Sequence, residues 1–166
     1  PGTVSGRGSV VALDPRLNAT HRAVHEVLSR EGRGTVTFTD ALLQVEGATW
    51  PVGAPVISVL PDLTERLAVW AGEWGVNINI LPAVPPGREL RQLRVGLYRP
   101  WTASSDEGWT RWVFERWGVP FDSLRDEGIR AGDLGTRYDV IVIPDITYRE
   151  LIRGLDPRRT PAEYAG

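Results

Sequence analysis

The sequence predicts an α/β fold, and three features in its second half carry that reading. Residues 94–99 (RVGLYR) have the apolar pattern of a short strand, and residues 107–117 follow with helical periodicity. YDVIVIPD (138–145) then supplies a second apolar run, Val140–Ile143, closed by Pro144–Asp145. Such a run suits a strand buried on both faces, as parallel sheets require. Strand, helix and strand in this order begin an open α/β sheet, whose ligands sit at the carboxyl ends of the strands.

The first half offers its own elements. Residues 1–8 are rich in Gly and Ser and are expected to be a flexible lead-in. Val10–Leu13 is a strand candidate ending at Asp14–Pro15. Asn18 is expected to cap a helix that places Val24, Val27 and Leu28 on one face, with Gly32 and Gly34 ending it. Thr35–Phe38, Leu43–Val45, Thr49–Val52 and Val56–Leu60, with a turn at Glu46–Gly47, suggest a short β-meander. Asp62 is the expected cap of a helix reaching Trp74, with Leu63, Leu67 and Trp70 inside, Gly75 ending it and strand 76–81 following.

PAVPPG (82–87) breaks any regular element and is the expected linker, placing a boundary near residues 85–92. The chain is therefore expected to form two small α/β lobes. Residues 1–88 would be a linking lobe with the meander, and residues 89–166 the N-terminal part of a truncated flavodoxin-type parallel sheet. The second lobe runs strand 94–99, helix 107–117, extended piece 119–124, a helical turn at 130–134 and strand 139–143. Ser105 or Asp106 is expected to cap its helix, and the acids at 106 and 107 suit the positive end of the helix dipole. Trp109, Trp112, Val113 and Arg116–Trp117 follow one helical face, whose three tryptophans are expected to pack on the sheet.

Composition limits the function classes. A net charge of −2, with 19 positive residues that are all arginine and scattered along the chain, argues against nucleic acid as a partner. The absence of cysteine removes disulfides, thiolate metal sites and a cysteine nucleophile from these residues. No apolar run approaches the roughly 20 residues a membrane-spanning helix needs, and no methionine or leader is present, as expected of an internal piece of a longer polypeptide.

His21 and His25, four apart with Glu26 adjacent, have a spacing able to hold a metal, but the pattern lacks the intervening glutamate or third ligand of a zinc site. No metal ligand is assigned, and a half-buried helix face is the expectation. The ligand-binding candidates are Arg99, Trp101, Asp106, Glu107 and Asp145, all at or just beyond the carboxyl ends of strands 94–98 and 139–143. Turn chemistry and helix capping account for the same residues without a ligand. PWTASSDEG lacks the glycine spacing of a nucleotide loop, and no G-x-S-x-G elbow occurs.

Residues 94–145, with a strand ending in Tyr–x–x–Trp, then DEGWTRW–x–x–E, then a strand ending in aspartate, resemble the C-terminal region of large bacterial zinc carboxypeptidase-like proteins, relatives of carboxypeptidase A. LDPRLNATHRAVHEVLSREG and ATWPVGAPVISV resemble the segment before that region, and TPAEYAG the approach to its next helix. The resemblance implies a class I glutamine-amidotransferase-like domain of flavodoxin type and a secreted or periplasmic parent. It also implies zinc in an upstream catalytic domain and no cofactor or catalytic residue in this fragment. The implied function is a non-catalytic accessory fragment that positions substrate or packs on the catalytic domain, with a peptide or small polar ligand. The alternative from the residues alone is a free-standing small-molecule or sugar-binding module, and a third reading is a hydrolase using His21, His25 and acids.

Overall fold

A computed structural model describes residues 1–29, 34–58, 63–156, 158–161 and 164. Asp62, Gly32 and the end of the strand expected at 56–60 lie outside them. The chain is an α/β protein that divides into two compact units, Pro1–Gln92 and Leu93–Gly166. No helix among the described residues is long and apolar enough to cross a membrane.

The first unit contains strands β1 (Val4–Gly6), β2 (Val10–Leu13), β3 (Thr35–Thr39), β6 (Pro55–Ser58), β7 (Ile78–Leu81) and β8 (Gly87–Glu89), in the order β1-β7-β2-β6-β3-β8. Only β1 and β7 run parallel; the other neighbours are antiparallel. The glycine-rich start is thus an edge strand rather than a lead-in. Glycine is what permits it: at Gly6 (φ +82°) a Cβ would lie 2.3 Å from the Ile80 carbonyl oxygen. The expected meander is also interrupted, because β4 (Leu43–Val45) and β5 (Ala48–Trp50) pair only with each other while β6 returns between β3 and β2. PAVPPG leads directly into β8, which pairs with the edge of β3.

Strand β2 explains how this unit is layered. All four of its residues are buried, and alternate side chains leave opposite faces of the sheet. Val11 and Leu13 join helix α1 (Asn18–Leu28) through Ala23, Val24 and Val27, together with Trp70. Val10 and Ala12 join Leu43 and Trp50 of the β4–β5 ribbon. The expected inner face of α1 is therefore observed, although Leu17, not Asn18, holds the cap position and makes no side-chain capping bond. Helix α2 (Leu63–Leu67) continues as a π-helical stretch, Ala68–Glu73, and Gly75 (φ +70°) ends it as expected. Glu26 ties these helices together, accepting from Arg66 Nη1 at 2.6 Å and from Trp70 Nε1 at 2.9 Å.

In the second unit β9 (Val95–Tyr98) lies between β10 (Asp122–Leu124) and β11 (Val140–Val142), all parallel, in the order β10-β9-β11. The segments around Leu97 and Ile141 lie side by side and point the same way, as the sequence predicts. Helix α3 (Ser105–Trp117) connects β9 to β10, and α4 (Asp126–Arg130) and α5 (Leu134–Arg137) connect β10 to β11; α6 (Tyr148–Arg153) follows. The helical turn expected at 130–134 is replaced by α4 and α5 on either side of Gly132 and Asp133, both at positive φ. Two expectations fail on burial. Val140 and Ile143 are exposed, because β11 is an outer strand among the described residues rather than one covered on both faces. Trp109, Trp112 and Val113 are exposed at 67%, 52% and 41%, so of the tryptophan face of α3 only Trp117, at its end, is half-buried.

Asp14 anchors the turn after β2 and yields a test. Its carboxylate accepts from Arg16 Nε at 2.8 Å, Nη2 at 2.7 Å and the Arg16 backbone N–H at 3.1 Å. These bonds, the side-chain ones foremost, hold its pKa below the ordinary aspartate value against the opposing effect of burial. A depressed carboxylate stabilises the fold fully above the unfolded value of about 3.9 and loses that contribution as the pH falls through the lower folded value. Asp14→Asn is expected to cost roughly 1–3 kcal/mol at neutral pH. Urea unfolding followed across pH checks both points, since the variant should lack this part of the acid-side loss.

Candidate functional site

The carboxyl ends of β9, β10 and β11 converge on two clefts within the second unit. The first, about 250 Å³, is lined by Tyr98, Trp101, Asp126, Arg130 and Glu150, with Ile129 and Leu151 supplying apolar wall. The second, about 360 Å³, is lined by Arg99, Trp101, Ser104, Glu107 and Arg125. Pro100–Thr102, the turn leaving β9, borders both. Trp101 is the shared wall: its ring has the Arg125 guanidinium 4.0 Å from its centroid, within cation–π range, and the Tyr164 ring 5.0 Å away.

Strand ends fix these groups. Tyr98 is the last residue of β9 and is buried, and its hydroxyl donates to Asp126 Oδ1 at 2.7 Å. Asp126 opens α4 just beyond the end of β10. Burial first, then the hydrogen bond to Asp126 and its negative charge, push the Tyr98 phenol above its ordinary range. Tyr98 is consequently a neutral donor at physiological pH and no general base. Arg99 continues the ladder by donating its backbone N–H to Leu124 O at 2.9 Å, leaving its side chain exposed at the sheet edge.

The five sequence-predicted residues divide accordingly. Trp101 borders both clefts, and Arg99 and Glu107 border the second. Glu107, however, is buried, and its carboxylate is bound by Arg111, whose Nε donates at 2.9 Å; Arg111 Nη2 reaches Ser123 Oγ of β10 at 2.9 Å. That network fastens α3 to β10 and leaves the Glu107 carboxylate engaged inside the protein. Asp106 and Asp145 are exposed and line neither cleft. The cap of α3 is Ser104, whose hydroxyl accepts the Glu107 N–H at 3.2 Å, in place of Ser105 or Asp106. Tyr98, Arg125, Asp126 and Arg130 were not anticipated. Applying the carboxyl-end rule to β10 as well as to β9 and β11 would have found the last three.

His21 and His25 lie one turn apart on α1 in the first unit. Nδ1 of His25 is buried without a hydrogen-bond partner, and burial, then the charge of His21, lowers its pKa. No group of three or more His, Cys, Asp or Glu able to hold a metal occurs among the described residues. A pair of imidazoles alone is not a structural or catalytic zinc set.

No protein-family model, curated protein or solved structure matches this chain. The site is therefore defined by its own geometry, and its central bond is open to measurement. Asp126→Asn should lower the midpoint at which Tyr98 ionises in an alkaline absorbance titration, and Tyr98→Phe should remove that transition. Asp106→Asn should leave it unchanged.

Proposed function

We propose that this chain is a non-catalytic, ligand-binding accessory region, and that its ligand sits at the carboxyl edge of the β10-β9-β11 sheet. The observation that carries the reading is the convergence there of an aromatic wall, Trp101, with charged groups of both signs, Asp126 and Arg130. Few but convergent polar groups beside an apolar wall are the usual make-up of a small-molecule site. The edge also lies where strand order reverses: the chain leaves β9 for one neighbour, then crosses to the other.

The strand order matches the first three strands of the 2-1-3-4-5 doubly wound arrangement. It thereby supports the amidotransferase-like, flavodoxin-type reading of the second unit. The exposed apolar residues Val140 and Ile143 on β11 suit an edge that continues in a larger sheet. On this reading the parent is a secreted or periplasmic zinc carboxypeptidase-like protein, its zinc held by residues outside this chain. The fragment positions a peptide or small polar ligand, or packs on the catalytic domain. A free-standing sugar-binding module is the second reading, favoured by the partly exposed Trp101 ring beside Tyr164.

Binding is tested by titrating the full chain with short peptides and monosaccharides while following amide chemical shifts. Trp101→Ala and Asp126→Asn are each expected to weaken a bound ligand by about tenfold or more, roughly 1.4 kcal/mol. Unchanged affinity in both variants would overturn the placement of the site. For the parent, the coding sequence upstream of Pro1 is expected to contain a His-x-x-Glu zinc motif; a start codon and leader directly before Pro1 would exclude it. Peptidase turnover by the isolated chain would contradict the non-catalytic reading.

A further inference from the structure

Helix α3 carries three large apolar side chains, Trp109, Trp112 and Val113, in exposed positions that a helix serving only its own sheet would not need. Its inner side is formed by Glu107, Arg111 and Phe114, through the Glu107–Arg111–Ser123 network and the Phe114–Phe121 ring contact at 5.5 Å. The opposite side presents Trp109, Trp112 and Val113, followed by the exposed Arg116. The spacings 109, 112, 113 and 116 place all four on one face. Trp109 and Trp112 pack edge to face, 5.9 Å between centroids, which preorganises a continuous aromatic ridge. Tryptophan and arginine at the centre of an otherwise polar surface are the residue types that protein interfaces favour.

The charges on this ridge say what fits it. Asp106 lies in the first turn of α3 and Arg116 in the last, and neither forms an ion pair among the described residues. They are ten residues apart, about 15 Å along the helix, with the two tryptophans between them. We propose that the ridge is a two-fold interface, in which α3 packs antiparallel against α3 of a second copy of this chain. The symmetry axis then passes near residue 111, and Asp106 of one copy faces Arg116 of the other, twice. Trp109 of each copy lies at the height of Val113 of its mate, so ring and branched side chain interdigitate. A parallel pair would instead place Asp106 against Asp106 and Arg116 against Arg116, which like-charge repulsion disfavours. The helix is 13 residues long, so the interface falls at the small end of specific contacts and associates at micromolar concentration.

Sedimentation velocity of the full chain from roughly 1 to 300 µM covers the range expected for so small an interface. A reversible monomer–dimer equilibrium is expected. Trp109→Ser together with Trp112→Ser should weaken it at least tenfold, with the far-ultraviolet circular dichroism and melting of the chain unchanged, because both rings are exposed in the folded protein. Asp106→Arg and Arg116→Asp should each weaken dimerisation, and the two combined should restore it. That rescue separates an antiparallel charge pair from a merely sticky surface. A monomer throughout the range would overturn the proposal and leave the ridge to a different protein surface. Open-ended assembly, a dimer indifferent to the tryptophan changes, or a charge swap without rescue would overturn it equally.

Discussion

The second unit depends on β9, the strand hydrogen-bonded on both sides by β10 and β11. Its side chains leave little freedom to the elements around it. Gly96 has no side chain, and a Cβ there would approach the Tyr138 ring to 3.2 Å, so the absence of one lets Tyr138 lie against the strand. Leu97 is fully buried at the next position. At the strand's start Arg94 binds the Asp139 carboxylate through its backbone N–H and guanidinium, which fixes the register with the entry to β11. With register fixed, the three carboxyl ends must converge, and the side chains that follow them must share one edge.

That edge borders the two clefts of this unit described above. Parallel strands send their backbone dipoles and chain exits the same way, so residues from distant parts of the sequence meet there. Tyr98, Trp101, Arg125 and Asp126 come together on that account, without a sequence motif of their own. The first unit is built differently. Its largely antiparallel sheet buries both faces of β2, one under α1 and one under the β4–β5 ribbon, and two of its carboxylates brace the fold. Asp14 holds a turn and Glu26 joins two helices.

Helix α3 shows how polar contacts can decide orientation against apolar ones. Burying Trp109 and Trp112 would gain apolar area. It would also carry Glu107 and Arg111 together to the outer side, since they lie four residues apart on one helix, and break the Arg111–Ser123 bond that ties α3 to β10. The observed orientation keeps that bond and leaves the rings exposed. An apolar ridge freed in this way has a use only if something covers it, which links a local electrostatic choice to association between molecules.

The sequence by itself determined much of the local structure. The apolar runs of β2, β9 and β11, the inner face of α1, and the glycine stop at Gly75 follow from short-range patterns. So does the α/β class, together with Trp101 and Arg99 at a strand end. Pairing partners decided the rest. Val4–Gly6, within the expected lead-in, became a strand because β7 offers an edge that glycine can approach, and no local pattern announces that. Asp145 and Asp106 fell outside the clefts, and Asp126 and Tyr98 came inside, because the neighbour of each strand end is set by sheet order. The side of α3 that faces inward was likewise settled by a hydrogen-bond partner, Ser123, lying 12 residues away from Arg111. Periodicity reveals which residues share a face. Only the tertiary structure says what that face meets, since burial belongs to pairs of surfaces and not to single segments.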